Sequence, residues 1–326
     1  DSRVKVACAE DYGVATDLIW TPVSAVGDTF SGPVTAVARP GGRFAVTAVH
    51  APDGEVWTWE FPHSLGAQTV TVSVPIRSFR YTKTPVVAGT LPTGEPVGFT
   101  TDVQGRFWAI NLNVTGPEQP TWKALDIPAA GVTPVGELTA VTTASGIRLA
   151  GLTAAGNVVT GLYAGPGTAL NWTSLGASGA TGKVAMGVSR SGLTQWVVRH
   201  TDNTVWSLTG SGWWVQVNTT YNGSALPITG SPSSVYDPQT GLNGVFVRTA
   251  LGTGYLYAIW ESLPDSGNFT TSTVQPITEV GTFGIKSDVT AWDFRNEDIA
   301  STGRRWGIAY FDDASTERAW LKPTSP

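Results

Sequence analysis

A short motif recurs about every fifty residues along this 326-residue chain, and the repeat limits the possible folds more than any other feature. In the first copy, "PDGEVWTWEF" at residues 52–61, a turn dipeptide directly precedes an alternating run with two tryptophans. One position of the motif, which we call the column, falls 51, 51, 47, 51 and 63 residues after the preceding copy. Its members are Trp57, Trp108, Val159, Trp206, Tyr257 and Trp320. A period this regular indicates a repeat architecture.

Each repeat is a series of short apolar runs separated by turn residues. In the first repeat, "PVTAVA" (33–38) and "RFAVTAV" (43–49) precede Asp53-Gly54, and the third run carries the column. A fourth run often opens with a tryptophan, as at Trp122, Trp172 and Trp214. Turn residues every 8–12 positions and runs of four to seven residues predict strands throughout and no amphipathic helix. Six units of four strands predict an all-β, six-bladed β-propeller.

The repeats predict one propeller domain over residues 1–326. Their approximate bounds are 25–76, 77–127, 128–176, 177–222, 223–278 and 279–326. The segment "IWTPVS", which begins at Ile19, resembles a fourth strand but stands before the first complete repeat. The last repeat has a third strand, at "AWLK", and no fourth. We therefore expect residues 18–24 to add the outer strand of the last blade and close the ring.

Composition excludes several classes of function. The net charge of −5 and the pI near 5.2 argue against a nucleic-acid partner, since phosphates require a basic surface. No run of 18 apolar residues is present, so we expect no membrane insertion. The single cysteine, Cys8, cannot form a disulfide within the chain, and we expect it to be a small buried hydrophobe. The three histidines are far apart in sequence, which argues against a zinc site.

Motifs for enzymatic chemistry are equally scarce. The chain has no G-x-S-x-G elbow, no phosphate-binding glycine loop and no calcium-loop consensus, so we predict no cofactor and no metal site. The first strands are mostly Val, Ala, Thr and Gly, and their charged residues are Glu137, Lys183, Asp288 and Asp293. Asp293, Glu297 and Asp298 share the long segment "DFRNEDIAS"; they could bind calcium, but acids in a solvated loop explain the segment as well.

Glycosylation motifs are frequent for a chain of this composition. Five of its ten asparagines stand in N-x-[ST] sequons, against roughly two expected from composition. They are Asn113, Asn171, Asn218, Asn222 and Asn268. From this excess we expect a secreted, extracellular glycoprotein.

The first repeat resembles one repeat of the bacterial propeller lectins of the Photorhabdus type. The matching positions are Gly42, Arg43, Asp53, Gly54, Val56, Trp57 and Trp59. In length and predicted blade number the chain also resembles the six-bladed fucose-binding lectins of fungi. That resemblance implies sugar sites built from an arginine of the second strand, a glutamate of the third strand and an aromatic. Arg43, Arg148 and Arg305 could fill the arginine position, whereas the glutamate position holds Thr58, Ala109, Thr160, Ser207, Ala258 and Leu321.

The resulting hypothesis is a lectin with shallow sites between blades, and glycans or glycoconjugates as partners. Aromatic rings can stack on the apolar face of a sugar. The predicted ligand-binding residues are Trp57, Trp108, Trp206, Tyr257, Trp320, Arg43, Arg148 and Arg305. The same column could instead be core between blades, and adjacent Trp213 and Trp214 predict one exposed indole.

Two other classes stay open at the level of sequence. One is a propeller enzyme, a glycoside hydrolase, lyase or cyclase, with a single site at one channel mouth near residues 288–305. The other is an interaction scaffold. An oligomer is compatible with all three hypotheses.

Overall fold

The structure of the protein, a computed structural model, confirms the all-β prediction. It describes residues 4–6, 21–39, 43–62, 76–78, 82, 84–112, 122–125, 128–250, 255–277, 285, 287–293, 304–311 and 317–323. All regular elements among these residues are strands, and no helix there is long and apolar enough to cross a membrane.

Six successive antiparallel sheets, which we call blades 1 to 6, follow one another along the chain. Within each blade the strands pair in chain order, so that every connection is a hairpin. In the first half of the chain, blade 1 comprises β3 (Phe30–Arg39), β4 (Arg43–His50), β5 (Val56–Pro62) and β6 (Ile76–Ser78); blade 2 comprises β7 (Val87–Thr90), β8 (Pro96–Thr101), β9 (Phe107–Asn111) and β10 (Trp122–Ala124); blade 3 comprises β11 (Val135–Thr143), β12 (Gly146–Leu152), β13 (Val158–Tyr163) and β14 (Trp172–Gly176).

The second half repeats the pattern, with one strand fewer in blade 6. Blade 4 comprises β15 (Ala180–Val188), β16 (Thr194–His200), β17 (Val205–Thr209) and β18 (Val215–Gln216); blade 5 comprises β21 (Ile228–Asp237), β22 (Leu242–Thr249), β23 (Leu256–Trp260) and β24 (Val274–Pro276); blade 6 comprises β25 (Thr290–Asp293), β26 (Arg304–Phe311) and β27 (Glu317–Pro323). The third strand of every blade carries the column, as the repeat predicts.

Two short ribbons accompany the blades, and the sequence did not predict their pairing. β1 (Lys5–Val6) pairs with β2 (Thr21–Pro22). β19 (Thr220–Tyr221) pairs with β20 (Ser224–Ala225) between blades 4 and 5. Among the described residues the sheet of blade 6 has three strands, so closure by residues 18–24 stays a prediction.

The chain divides into two compact units. The first holds blades 1–3, within residues 17–154 and 159–175, and the second holds blades 4–6, within residues 176–326. The prediction of a single domain over residues 1–326 stays a prediction.

Four of the first strands contain a β-bulge immediately after a glycine with positive φ. The register shifts directly past Gly32, Gly136, Gly182 and Gly230, whose φ angles are 72°, 83°, 79° and 71°. A side chain is strained at such angles, so glycine is the natural residue for this type of bulge. The bulge increases the local twist at the start of each of these strands.

Within each unit, polar bonds connect the first strands of consecutive blades. In the first unit, Thr35 Oγ1 donates to the carbonyl of Val86 at 2.5 Å, and the Thr90 N–H donates to Thr142 Oγ1 at 2.8 Å. In the second unit the residue after the bulge glycine takes this role. The Lys183 N–H donates to Ser231 Oγ, and the Ser231 N–H donates to Asp288 Oδ1, both at 3.0 Å. The first strands of neighbouring blades in a unit therefore lie side by side.

The hydrophobic core lies between blades, and the column contributes to it. Trp108 of blade 2 shares a cluster with Val37 and Ala45 of blade 1. Tyr257 of blade 5 shares one with Val197 and Val205 of blade 4. In blades 2 and 5 the column residue thus packs on the blade that precedes it in the chain.

Blade 1 follows the same rule with a different partner. Trp57 and Trp59 share a cluster with Val4 and Val23, which flank the β1–β2 ribbon. These residues occupy the place that a preceding blade takes elsewhere.

Candidate functional site

The hairpin between the second and third strands forms a recurring structure around the column, which we call the tryptophan turn. In blades 1, 2 and 4 an aspartate precedes the column tryptophan by four to six residues, at Asp53, Asp102 and Asp202. Its Oδ1 accepts the backbone N–H two residues later, from Glu55 at 3.0 Å, from Gln104 at 2.9 Å and from Thr204 at 2.9 Å. Such Asx turns favour a tight hairpin.

In blades 1, 2 and 4 the indole N–H of the column tryptophan is bonded to its own turn. Trp57 Nε1 donates to Glu55 Oε2 at 3.3 Å, Trp108 Nε1 to Asp102 Oδ2 at 3.0 Å, and Trp206 Nε1 to Thr204 Oγ1 at 2.8 Å. Because an indole has a single donor, the edge of each ring is already satisfied. Only a ring face is left for contact with a ligand.

The electrostatics of these turns are those of ionised, structural carboxylates. Burial acts to raise the pKa of Asp102, but the N–H groups of Arg106, Trp108 and Gln104 and the Arg106 charge outweigh it, and the pKa is lowered. Arg106 Nε lies 3.2 Å from Asp102 Oδ2. A carboxylate with a lowered pKa is a weak base, so this one suits a structural role better than general acid or base catalysis.

Trp57, the column member of blade 1, is enclosed by its neighbours. The His50 ring is stacked on it, with centroids 4.6 Å apart and 19° between planes, and the Arg77 guanidinium lies 4.1 Å from its centroid. Phe30 adds an edge contact at 5.4 Å. Trp57 is 4% exposed and Trp108 is 9% exposed. Both indoles therefore have little face to offer.

Trp206 of blade 4 is more exposed than Trp57 and Trp108. It is partly buried, and its stack on His200 is looser than that of Trp57, with centroids 5.5 Å apart. On the next strand it pairs with the exposed Gln216, at the place that Arg77 takes in blade 1. An amide beside a partly open indole can bond to sugar hydroxyls while the ring stacks.

The other column members differ. Val159 is fully buried and has no ring. Tyr257 is 8% exposed and contacts the Tyr221 ring at 5.3 Å, and burial raises the pKa of its phenol. Trp320 lies in β27 opposite Ile308, and its side chain falls outside the described residues.

Of the three predicted arginines, the structure describes the side chain of Arg148 alone. Arg43 and Arg305 lie in β4 and β26, but their side chains are outside the described residues. Arg148 is half-buried in β12 opposite Val141, and burial lowers the pKa of its guanidinium. Its blade carries Val159 in the column, so no stacking aromatic stands there.

The position at which the resemblance to the fungal lectins implies a glutamate is part of the core in blades 1 to 5. Its occupants in the first five blades are all buried, namely Thr58, Ala109, Thr160, Ser207 and Ala258. Two of the hydroxyls are bonded internally, since Thr160 Oγ1 donates to the Leu149 carbonyl and Ser207 Oγ accepts from Gln195 Nε2. This position therefore presents no carboxylate to a ligand.

The prediction of one exposed indole in the Trp213-Trp214 pair is confirmed. Trp213 is 89% exposed, whereas Trp214 is partly buried.

Sequence reasoning missed the residues that contact the column tryptophans, chiefly Thr204, Asp102 and Gln216. An aspartate four to six residues before Trp57, Trp108 and Trp206 was the signal that could have found the turns.

Two of the acids predicted near strand ends or a channel mouth have described side chains. Glu137 is exposed, and Asp288 Oδ1 lies 3.9 Å from Arg248 Nη2. The side chain of Asp293 and all of Glu297 and Asp298 fall outside the described residues. Within the residues that the structure describes, no three His, Cys, Asp or Glu side chains are grouped as metal ligands.

The sequons differ in accessibility. Asn171, Asn222 and Asn268 are exposed, whereas Asn113 lies outside the described residues. Asn218 is partly buried, its Nδ2 donates to the Ser272 carbonyl at 3.3 Å, and its Oδ1 accepts from the Thr220 N–H at 3.0 Å.

Comparison with known proteins shows a likeness of fold. A scan of protein-family models finds no match, and a search of curated proteins finds none either. Among solved structures, AofleA from Arthrobotrys oligospora matches with a TM-score of 0.55 and 13% identity, over 90% of this chain and 84% of its own. The SapL1 lectin in complex with alpha methyl fucoside matches with a TM-score of 0.52 and 12% identity, over 92% of this chain and 98% of its own. The fucose-specific lectin from Aleuria aurantia matches with a TM-score of 0.50 and 14% identity, over 88% of this chain and 90% of its own. The shared fold extends over nearly the whole length of each chain.

Proposed function

We propose that the protein is a carbohydrate-binding lectin with shallow sites between the blades of a closed six-bladed propeller. The observation that carries the proposal is the likeness to lectin structures over 84–98% of their chains. One of those structures holds a fucoside. The partly open Trp206, with the exposed Gln216 beside it, supplies a ring face and an amide suited to a neutral sugar.

The terminal sugar is not assigned as fucose. The glutamate position is occupied by buried Thr, Ala and Ser side chains, which supply no carboxylate. The proposed ligand class is therefore neutral glycans, bound by stacking and by amide and hydroxyl groups.

We further propose that residues 18–24 close the ring as the outer strand of blade 6. The packing of Val4 and Val23 on Trp57 and Trp59 supports this, because a preceding blade covers the column residue in blades 2 and 5. A secreted, glycosylated protein is part of the proposal; the exposed Asn171, Asn222 and Asn268 are compatible with it.

The experiment that tests the function is a glycan array with the labelled protein, followed by calorimetry on the best ligand. We expect binding to neutral glycans and a stoichiometry above one. Trp206→Ala should lower the stoichiometry by one site, and Trp57→Phe, in the enclosed column member, serves as the control and should leave it unchanged. Absence of binding to every glycan on the array would rule out the lectin.

A further inference from the structure

A cavity of about 250 Å³ with a mixed polar and apolar lining lies in the first unit, where the first strands of blades 1, 2 and 3 begin. Ser31 and Gly32 come from β3, and Gly136 and Glu137 come from β11; the remaining lining residues are Val49, Thr82, Thr84 and Pro85. Two of the bulge glycines, Gly32 and Gly136, are therefore part of its wall.

Two of the lining residues, Thr82 and Thr84, are held by hydrogen bonds within the protein. Thr84 Oγ1 contacts Thr101 Oγ1 at 3.0 Å and Thr100 Oγ1 at 3.3 Å, and it accepts the Thr101 N–H at 3.0 Å. The Thr82 N–H donates to the Gly54 carbonyl of the blade 1 turn at 3.1 Å. These two threonines are therefore preorganised in the absence of a ligand.

Two other lining residues carry polar groups that are free to bind a ligand. Among the described residues, the Ser31 hydroxyl and the Glu137 carboxylate have no hydrogen-bond or ionic partner. No lysine, arginine or histidine lines the cavity, so the charge of Glu137 is not neutralised within it. Val49 and Pro85 add an apolar patch.

We infer that this cavity binds one neutral, monosaccharide-sized polyol, separately from the sites between blades. A carboxylate accepts two hydrogen bonds from adjacent hydroxyls, and the Ser31 hydroxyl can donate or accept a third. Val49 and Pro85 contact the apolar face of the ring. The volume lies below the range of roughly 300–1,000 Å³ found for drug-sized ligands, which limits the occupant to about one ring. The uncompensated carboxylate repels an anionic sugar.

The test uses the full chain at neutral pH and a panel of probes: the methyl glycosides of fucose, mannose, galactose and N-acetylglucosamine, and glucuronate as the anionic probe. Binding is followed by calorimetry and by saturation-transfer NMR. Glu137→Gln removes the charge, and Ser31→Phe fills the cavity. Glu95→Gln is the matched control, because Glu95 follows the other end of β7 and does not line the cavity.

We expect at least one neutral glycoside to lose one site in Ser31→Phe and to bind that site roughly tenfold more weakly in Glu137→Gln. Glu95→Gln should bind like the natural chain, and glucuronate should not compete. Equal binding by the natural chain and both cavity variants, no binding of any neutral probe, or competition by glucuronate would overturn the inference. Glu137 is exposed and unpartnered, so Glu137→Gln keeps the test decisive even if Ser31→Phe fails to fold.

The two proposals fail separately. Sites that respond to Trp206→Ala but not to the cavity variants would leave the lectin proposal standing and remove the cavity. A single site that responds only to the cavity variants would support the cavity and remove the proposed site at Trp206.

Discussion

At the scale of single residues, a column tryptophan can be either a core residue or a stacking surface for a sugar. The neighbouring side chains determine which of the two roles it has. In blade 1, His50 and Arg77 cover the ring of Trp57. In blade 4, the exposed Gln216 stands where Arg77 would be, and Trp206 stays partly open. The aspartate of each turn fixes the hairpin in both cases.

Replacement of Trp57 by phenylalanine should lower the free energy of unfolding by about 1–3 kcal/mol, because the smaller ring leaves a gap beneath His50 and Arg77. Urea unfolding followed by circular dichroism measures the change. Trp213→Phe is the control, and at an exposed site it should change stability by less than about 0.5 kcal/mol. Equal losses in the two variants would contradict the assignment of Trp57 to the core.

The carboxylate of Asp102 should contribute stability that depends on pH. Its folded-state pKa is lowered, so its contribution is complete above the unfolded pKa and is lost as pH falls through the folded pKa. We expect Asp102→Asn to lower the unfolding free energy by about 1.5–3 kcal/mol at neutral pH.

The difference between the natural chain and Asp102→Asn should shrink below about pH 4, near the ordinary pKa of aspartate. Denaturant titrations at a series of pH values measure it. A difference that stays constant down to pH 2 would show that the charge of Asp102 is not what stabilises the turn.

At the scale of strands, the bulge at the start of a first strand controls how that blade meets the next. A Cβ on Gly182 would lie 2.8 Å from Ser231 Oγ, and one on Gly230 would collide with Asp288 Oδ1. These are the two acceptors of the bonds between first strands in the second unit. The glycines therefore permit both the bend and the close approach.

Gly230→Ala should destabilise the protein by about 1–3 kcal/mol more than Gly192→Ala. Both glycines have positive φ, at 71° and 83°, but a Cβ on Gly192 would meet nothing within 4 Å. The comparison removes the backbone penalty and leaves the contact with Asp288. Thermal unfolding of the two variants measures the difference. Equal shifts in Tm would show that Asp288 can move away from the added Cβ without loss of stability.

The strands could be predicted from sequence because each is a short apolar run between turn residues, as at Asp53-Gly54. The column was equally visible, since its spacing is nearly constant. The bulges were not, because a register shift depends on the pairing of Thr181 and Ala185 with β16 and not on either strand alone. Burial of the glutamate position was also hidden, since Thr58 and Ser207 are polar residues with internal roles.

At the scale of the whole molecule, the amino-terminal ribbon does for blade 1 what a preceding blade does for blades 2 and 5. Val4 and Val23 are buried against Trp57 and Trp59. The Val23 N–H donates to the Val4 carbonyl at 2.9 Å, and the Val4 N–H donates to Ser24 Oγ at 3.1 Å. The ribbon is thus bonded internally and packed on the blade.

Removal of residues 1–24 should expose Trp57 and Trp59 and cause unfolding or oligomerisation, since an uncovered apolar sheet face and a free edge both promote association. Light scattering and thermal unfolding measure the outcome. Val4→Ala is the milder companion variant. It should lower the free energy of unfolding by about 1–3 kcal/mol and leave the pairing of β1 with β2 intact. A truncated chain that is monomeric with an unchanged Tm would show that the ribbon is dispensable.

The uneven exposure of the tryptophans makes the chain its own optical probe. Among the side chains that the structure describes, seven indoles are buried, whereas Trp213 is almost fully exposed. Buried indoles emit at shorter wavelength and are shielded from iodide, so Trp213, in the loop after β17, should contribute to a red-edge component of the fluorescence that iodide quenches. Movement of the Trp213 loop can therefore be followed in solution without a label, while the blue component reports on the packing between blades.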